Sequence, residues 1–151
     1  MKWITRARAR VDRIACPWLI SRFIDPTPEF IYVPADEVLA EAEKHGAIPY
    51  DIQGVELGHH GPFCSFDALM RTYHLEGRDP ALDRLALIVR GADTSDKDLT
   101  PESRGLDAIA SGFQQMEIGD HEKIEREFPL YDALYVYCGG AWPVPKLAGH
   151  S

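Results

Sequence analysis

Apolar positions in the first third of the chain fall in short runs and helix-spaced sets that alternate with one another. Trp3-Ile4-Thr5 reads as a short strand. Val11, Ile14, Ala15, Trp18 and Leu19 recur at helical spacing. Pro17 suits a first helical position better than an interior one, so the regular helix is expected to start there and to end before Asp25-Pro26. Phe30-Ile31-Tyr32-Val33 reads as a buried strand. Asp36 to Lys44 is helical, with Val38, Leu39 and Ala42 inward and Gly46 as the stop. Ile48-Pro49-Tyr50-Asp51-Ile52 follows as a strand that Pro49 pushes to a sheet edge. Strand, helix and strand joined by short links predict a βαβ unit and a small parallel sheet.

Beyond the turn-like Gly58-His59-His60-Gly61-Pro62 the pattern is helical. Phe66, Leu69, Met70 and Tyr73 form one stripe, with Ser65 as N-cap. Asp79-Pro80 starts a second helix, with Leu82, Leu85, Ala86 and Val89 inward. Thr100-Pro101 starts a third, with Leu106, Ile109, Ala110 and Phe113 on one face. Asp120 caps the last, which Pro129 kinks or restarts and along which Leu130, Leu134 and Cys138 continue the stripe. The expected fold class is therefore α+β, mainly helical. A small N-terminal βαβ sheet packs on a C-terminal cluster of helices, in one domain over residues 1–138. Residues 139–151 are a loose tail rich in Gly and Pro.

Composition is that of an ordinary globular protein, and no apolar run is long enough to cross a bilayer. The basic N-terminus is not followed by a secretory apolar segment, so a cytoplasmic location and no membrane partner are expected. The three cysteines show neither disulfide nor CxxC spacing. A net charge of −8 argues against nucleic acid as a partner. Phosphate-loop, dinucleotide and nucleophile-elbow motifs are absent. Tyr131, Tyr135 and Tyr137 suit a core or a homo-oligomer interface.

Charge is distributed unevenly. Residues 1–22 hold six of the sixteen Lys and Arg but one of the twenty-four Asp and Glu. Arg6, Arg8 and Arg10 alternate, so an extended segment points them one way, and Arg13 lies on the adjoining turn. Guanidinium groups carry a fixed fork of donors that matches an oxyanion, which makes Arg6, Arg8 and Arg13 candidate ligands for a small oxyanion. Pairing with acidic surface groups is the plainer use of the same charges. With the helix starting at Pro17, Cys16 sits at a positive helix end beside Arg13, where a thiolate is favoured. Cys16 and Asp12 are the candidate catalytic groups, and a small buried residue is the alternative for Cys16.

His59 and His60 lie in a glycine-flanked turn and offer adjacent imidazoles. Asp93 at a helix end and His121 on a first helical turn supply further donors. Together His59, His60, Asp93 and His121 form a candidate set for a divalent metal, Zn, Mn or Fe. Hydrogen bonds to loop backbone, a turn cap and an exposed helix start are the plainer roles for these same residues.

The string Val11-Asp12-Arg13-Ile14-Ala15-Cys16-Pro17-Trp18-Leu19-Ile20, with Thr5-Arg6-Ala7-Arg8 before it and Phe23-Ile24-Asp25-Pro26 after it, resembles the opening of the C-terminal domain of ChrB-type chromate-resistance proteins. Glu56-Leu57-Gly58-His59-His60-Gly61, Cys64-Ser65-Phe66-Asp67-Ala68-Leu69 and Ile88-Val89-Arg90-Gly91-Ala92-Asp93-Thr94 continue the likeness, which spans roughly residues 3 to 138. The resemblance implies a role in chromate resistance. Taken with the candidate residues above, the expected function is a domain that binds a divalent metal and an oxyanion such as chromate and acts in detoxification. A non-catalytic oxyanion sensor acting on a transcription or protein partner is the second reading. Whether the domain is an enzyme stays open, since the resemblance brings no residue-level mechanism. Arg6, Arg8, Asp12, Arg13, Cys16, His59, His60, Asp67 and Asp93 all fall inside the matching strings.

Overall fold

A computed structural model describes residues 1–145. The remainder of the expected tail, with His150, lies outside the described residues. Strand β1 (Lys2–Arg6) is central in a three-stranded parallel sheet of order β2-β1-β3, flanked by β2 (Glu29–Val33) and β3 (Ile48–Pro49). The expected parallel sheet is present, but the strands on either side of the second crossover do not neighbour each other; β1 lies between them. Trp3, Ile4 and Thr5 are all fully buried, because both faces of β1 are covered. Helix α2 (Val38–His45) covers one face, where Ile4 packs with Val38, Ala42 and Ala47. Helix α1 (Asp12–Leu19) covers the other, where Trp3 joins the main core with Ile14 and Trp18. Gly46 ends α2 in the left-handed conformation at φ 62°, as expected for a glycine stop.

Helix α1 departs from expectation. It starts at Asp12, which places Pro17 inside it and Cys16 in its buried interior. Pro17 has no N–H to offer the carbonyl of Arg13 one turn back. Tyr32 Oη on β2 donates to that carbonyl instead, at 2.5 Å. The helix then widens into a π turn over Ile20–Ile24, closed by the Asp25 N–H donating to the Ile20 carbonyl at 2.8 Å.

The helical part is α3 (Ser65–Thr72), α4 (Pro80–Asp93), α5 (Ser103–Gln115) and α6 (Asp120–Tyr137). Cys64, not Ser65, holds the N-cap position of α3, and its N–H donates to Asp67 Oδ2 at 3.0 Å. Asp79 caps α4 as expected, accepting from the Ala81 N–H at 3.0 Å. Helix α5 passes so close to α4 that a side chain at Gly91 would collide with Ser103, whose Oγ donates to the Ile88 carbonyl at 3.0 Å. Helix α6 runs through Pro129 without a break. Its buried stripe is Lys123, Glu127, Tyr131 and Tyr135 rather than Leu130 and Leu134, which are only half-buried. Tyr131 and Tyr135 pack on Trp18, and Asp132 accepts from Trp18 Nε1 at 2.7 Å. The start of the expected tail is tied down, because Val144 is buried in the main core. The described residues contain no helix long and apolar enough to cross a membrane.

Candidate metal centre

The strand order β2-β1-β3 creates a topological switch. The chain leaves β1 to one side to build β2, then crosses back to the other side to build β3. In parallel sheets the crevice at such a switch, beyond the carboxyl ends of the strands, is where ligands settle. Arg6 ends β1, and Asp51 follows two residues after β3. Asp51 has φ 50°, a left-handed conformation that Asp tolerates better than most residues. The turn that follows is tight: a Cβ on Gly58 would strike the Ile52 carbonyl. That turn delivers His59 back to Asp51.

Four side chains converge there. Asp12, Asp51, His59 and Asp93 each offer a donor atom within 4.8 Å of the others. His59 Nε2 lies 2.8 Å from Asp93 Oδ2, 3.1 Å from Asp51 Oδ1 and 3.5 Å from Asp12 Oδ2. Neighbouring groups hold the carboxylates in place. The Ser65 N–H at the start of α3 donates to Asp12 Oδ2 at 2.7 Å, and Ser65 Oγ donates to Asp51 Oδ1 at 3.0 Å. The Asp12 N–H donates to Asp93 Oδ1 at 3.3 Å. Arg13 Nη1 lies 3.4 Å from Asp51 Oδ2, and its Nη2 donates to the Arg8 carbonyl at 3.0 Å.

Electrostatics at the cluster follow from crowding. Burial, then the Asp93 charge, raises the Asp12 carboxyl well above the usual carboxylate range. Hydrogen bonding of the His59 N–H to the Asp12, Asp51 and Asp93 carboxylates pushes its imidazole up to about 12. Three converging carboxylates call for positive charge, and the His59 imidazolium supplies it. Asp12 Oδ1 is buried and has no hydrogen-bond partner among the described residues.

Of the expected metal ligands, His59 and Asp93 enter the cluster; Asp12, expected as a catalytic group beside Cys16, joins them. His60 and His121 do not. His60 Nε2 bonds the Glu56 carbonyl at 2.7 Å, and His121 stands edge-on to Tyr32 with ring centroids 5.5 Å apart. Adjacent residues in an extended turn face opposite ways, so one His59 in the cluster excludes its neighbour. Cys16 is not at a helix end. It is fully buried, and burial followed by the Asp12 charge pushes its thiol well up, the reverse of thiolate activation. The four arginines disperse. Arg6 lines a cavity of about 780 Å³ together with Asp51 and His59. Arg13 lies behind Asp51. Arg8 takes a left-handed turn at φ 66° and lines a separate hollow beside Asp120. Arg10 pairs with Asp107. The sequence pattern singles out neither Asp51 nor Ser65 as a site residue. It places Asp51 inside a strand, whereas β3 ends at Pro49 and Asp51 stands just past its carboxyl end, the position that signals a ligand.

Three carboxylates and an imidazole at the carboxyl edge of a parallel sheet define this chain as an α+β domain with a candidate cation centre. Residues 3–138 match the family described as ChrB, C-terminal domain, and the chain belongs to that chromate-resistance family. Protein ChrB of Cupriavidus metallidurans CH34 is 29% identical over 136 residues, which cover 90% of this chain and 40% of that protein. The chain thus spans about two fifths of the curated relative it matches. No solved structure matches it.

Proposed function

We propose that this domain contributes to chromate resistance by holding a divalent cation on Asp12, Asp51, His59 and Asp93 and by binding an oxyanion, chromate or a phosphoryl group, in the adjoining cavity beside Arg6. The convergence of those four side chains, two of which, Asp51 and His59, line a cavity together with Arg6, carries the reading. Opposite oxygen ligands of a hard divalent cation stand about 4–5 Å apart, which the 4.8 Å spread of the donors matches. An oxygen-rich set with one imidazole and no thiolate suits Mn²⁺ or Fe²⁺, and Zn²⁺ accepts the same ligand types. The cation would displace the proton from His59, orient the oxyanion and offset its charge; Arg6 would complete the neutralisation.

Calorimetry on metal-stripped protein tests this. One equivalent of Mn²⁺, Fe²⁺ or Zn²⁺ is expected to bind. His59→Ala or Asp51→Asn is expected to weaken binding at least tenfold, and His60→Ala to leave it unchanged. Loaded protein is expected to bind chromate, and Arg6→Ala to weaken that step without affecting the cation. No stoichiometric uptake, or uptake indifferent to His59 and Asp51, overturns the proposal.

A further inference from the structure

Beyond Arg6, Asp51 and His59, the cavity is lined by Ala35, Asp36, Leu39, Ile52 and Gln53. A free tetrahedral oxyanion uses little of this. It is no larger than a few waters of about 30 Å³ each, against a cavity of about 780 Å³. Cavities of that size hold organic ligands. The side chains of Ala35, Leu39 and Ile52 offer an oxyanion no hydrogen bond, and the Asp36 carboxylate repels it. An organic molecule has a use for each. Its apolar part covers Leu39, which is 60% exposed and belongs to neither core cluster, while its hydroxyl or amino groups donate to Asp36 and Gln53.

We infer that the natural ligand of this cavity is a phosphorylated organic molecule with an apolar body. Its phosphoryl group sits between Arg6 and the cation, and its body lies along Ala35, Leu39 and Ile52. This rests on the metal-and-oxyanion reading above and names the ligand class for it.

Titration of the full chain with inorganic phosphate and with phenyl phosphate, each with and without Mn²⁺, tests the inference. Phenyl phosphate is expected to bind about tenfold more tightly than inorganic phosphate, the return on covering roughly 60 Å² of apolar surface. Leu39→Asn, a neutral change at a position 60% exposed, is expected to erase that advantage and leave phosphate affinity unchanged. Equal affinities, no binding of either probe, or an advantage that survives Leu39→Asn overturns the inference. Failure of Mn²⁺ to bind sinks the cation reading instead, and the ratio measured without metal still decides this one.

Discussion

Glu127 on α6 is 1% exposed, and neither carboxylate oxygen has a hydrogen-bond partner among the described residues. Burial pushes its carboxyl up to about 8, against a partial pull downward from Lys123. The Lys123 ammonium is otherwise occupied, donating to the Ala9 carbonyl at 3.2 Å and lying 3.4 Å from Asp120. The unfolded chain keeps the Glu127 proton only below its ordinary value of 4.5, whereas the folded chain keeps it to about 8. The stabilisation from this group is therefore complete below pH 4.5 and is lost as pH rises to about 8. Glu127→Gln fixes the neutral form. Urea unfolding is expected to show the wild type losing on the order of 3 kcal/mol more stability than the variant between pH 5 and pH 8. Parallel pH profiles would contradict this account of the residue.

At the scale of elements, α1 and β2 are joined by the exchange of a backbone partner. Pro17 frees the Arg13 carbonyl and Tyr32 fills it. Tyr32→Phe is expected to cost about 1 kcal/mol, and as much as 3 where the carbonyl stays dry. In a Pro17→Ala background the alanine N–H reaches the same carbonyl, so the Tyr32→Phe cost should shrink to near zero. A double-mutant cycle read by denaturant unfolding measures that coupling, and equal costs in both backgrounds would refute it. This exchange also explains what the sequence withheld. Elements with a clear period and a local stop, such as β1, β2, α2 with Gly46 and α4 with Asp79, were legible because the signals lie within the element. The start of α1 was not, since the group that makes an interior Pro17 tolerable comes from another strand. Two histidines side by side are equivalent in sequence; only the path of the turn from Asp51 makes His59 a cluster member and His60 a partner of the Glu56 carbonyl. On α6 the leucines were the more apolar candidates, yet the tyrosines face Trp18 and take the core.

For the whole molecule, the candidate cation centre is a cross-link. Its ligands come from the start of α1, the connection between β3 and α3, and the end of α4, so it ties the sheet edge to the helical part. A cation bound only by the folded state, at 100 times its dissociation constant, adds about 2.7 kcal/mol, or roughly 5–10 °C in Tm for a chain of this size. Amide exchange should slow most over residues 51–59, where the chain is held by turns rather than a ladder. Asp12→Asn separates a ligand from a structural ion-pair member. Asparagine keeps an acceptor for the Ser65 N–H but removes a charge that burial, Asp93 and Asp51 all oppose. Without metal, Asp12→Asn is expected to be more stable than the wild type at pH 7, with a higher urea midpoint, and Mn²⁺ should no longer raise its Tm. A residue kept for the fold alone would give the opposite pair of results: a weaker protein and an unaltered response to the ion. A charge cluster that weakens the empty fold and strengthens the loaded one is what a binding site costs a protein, and the two unfolding curves of this variant distinguish the cases.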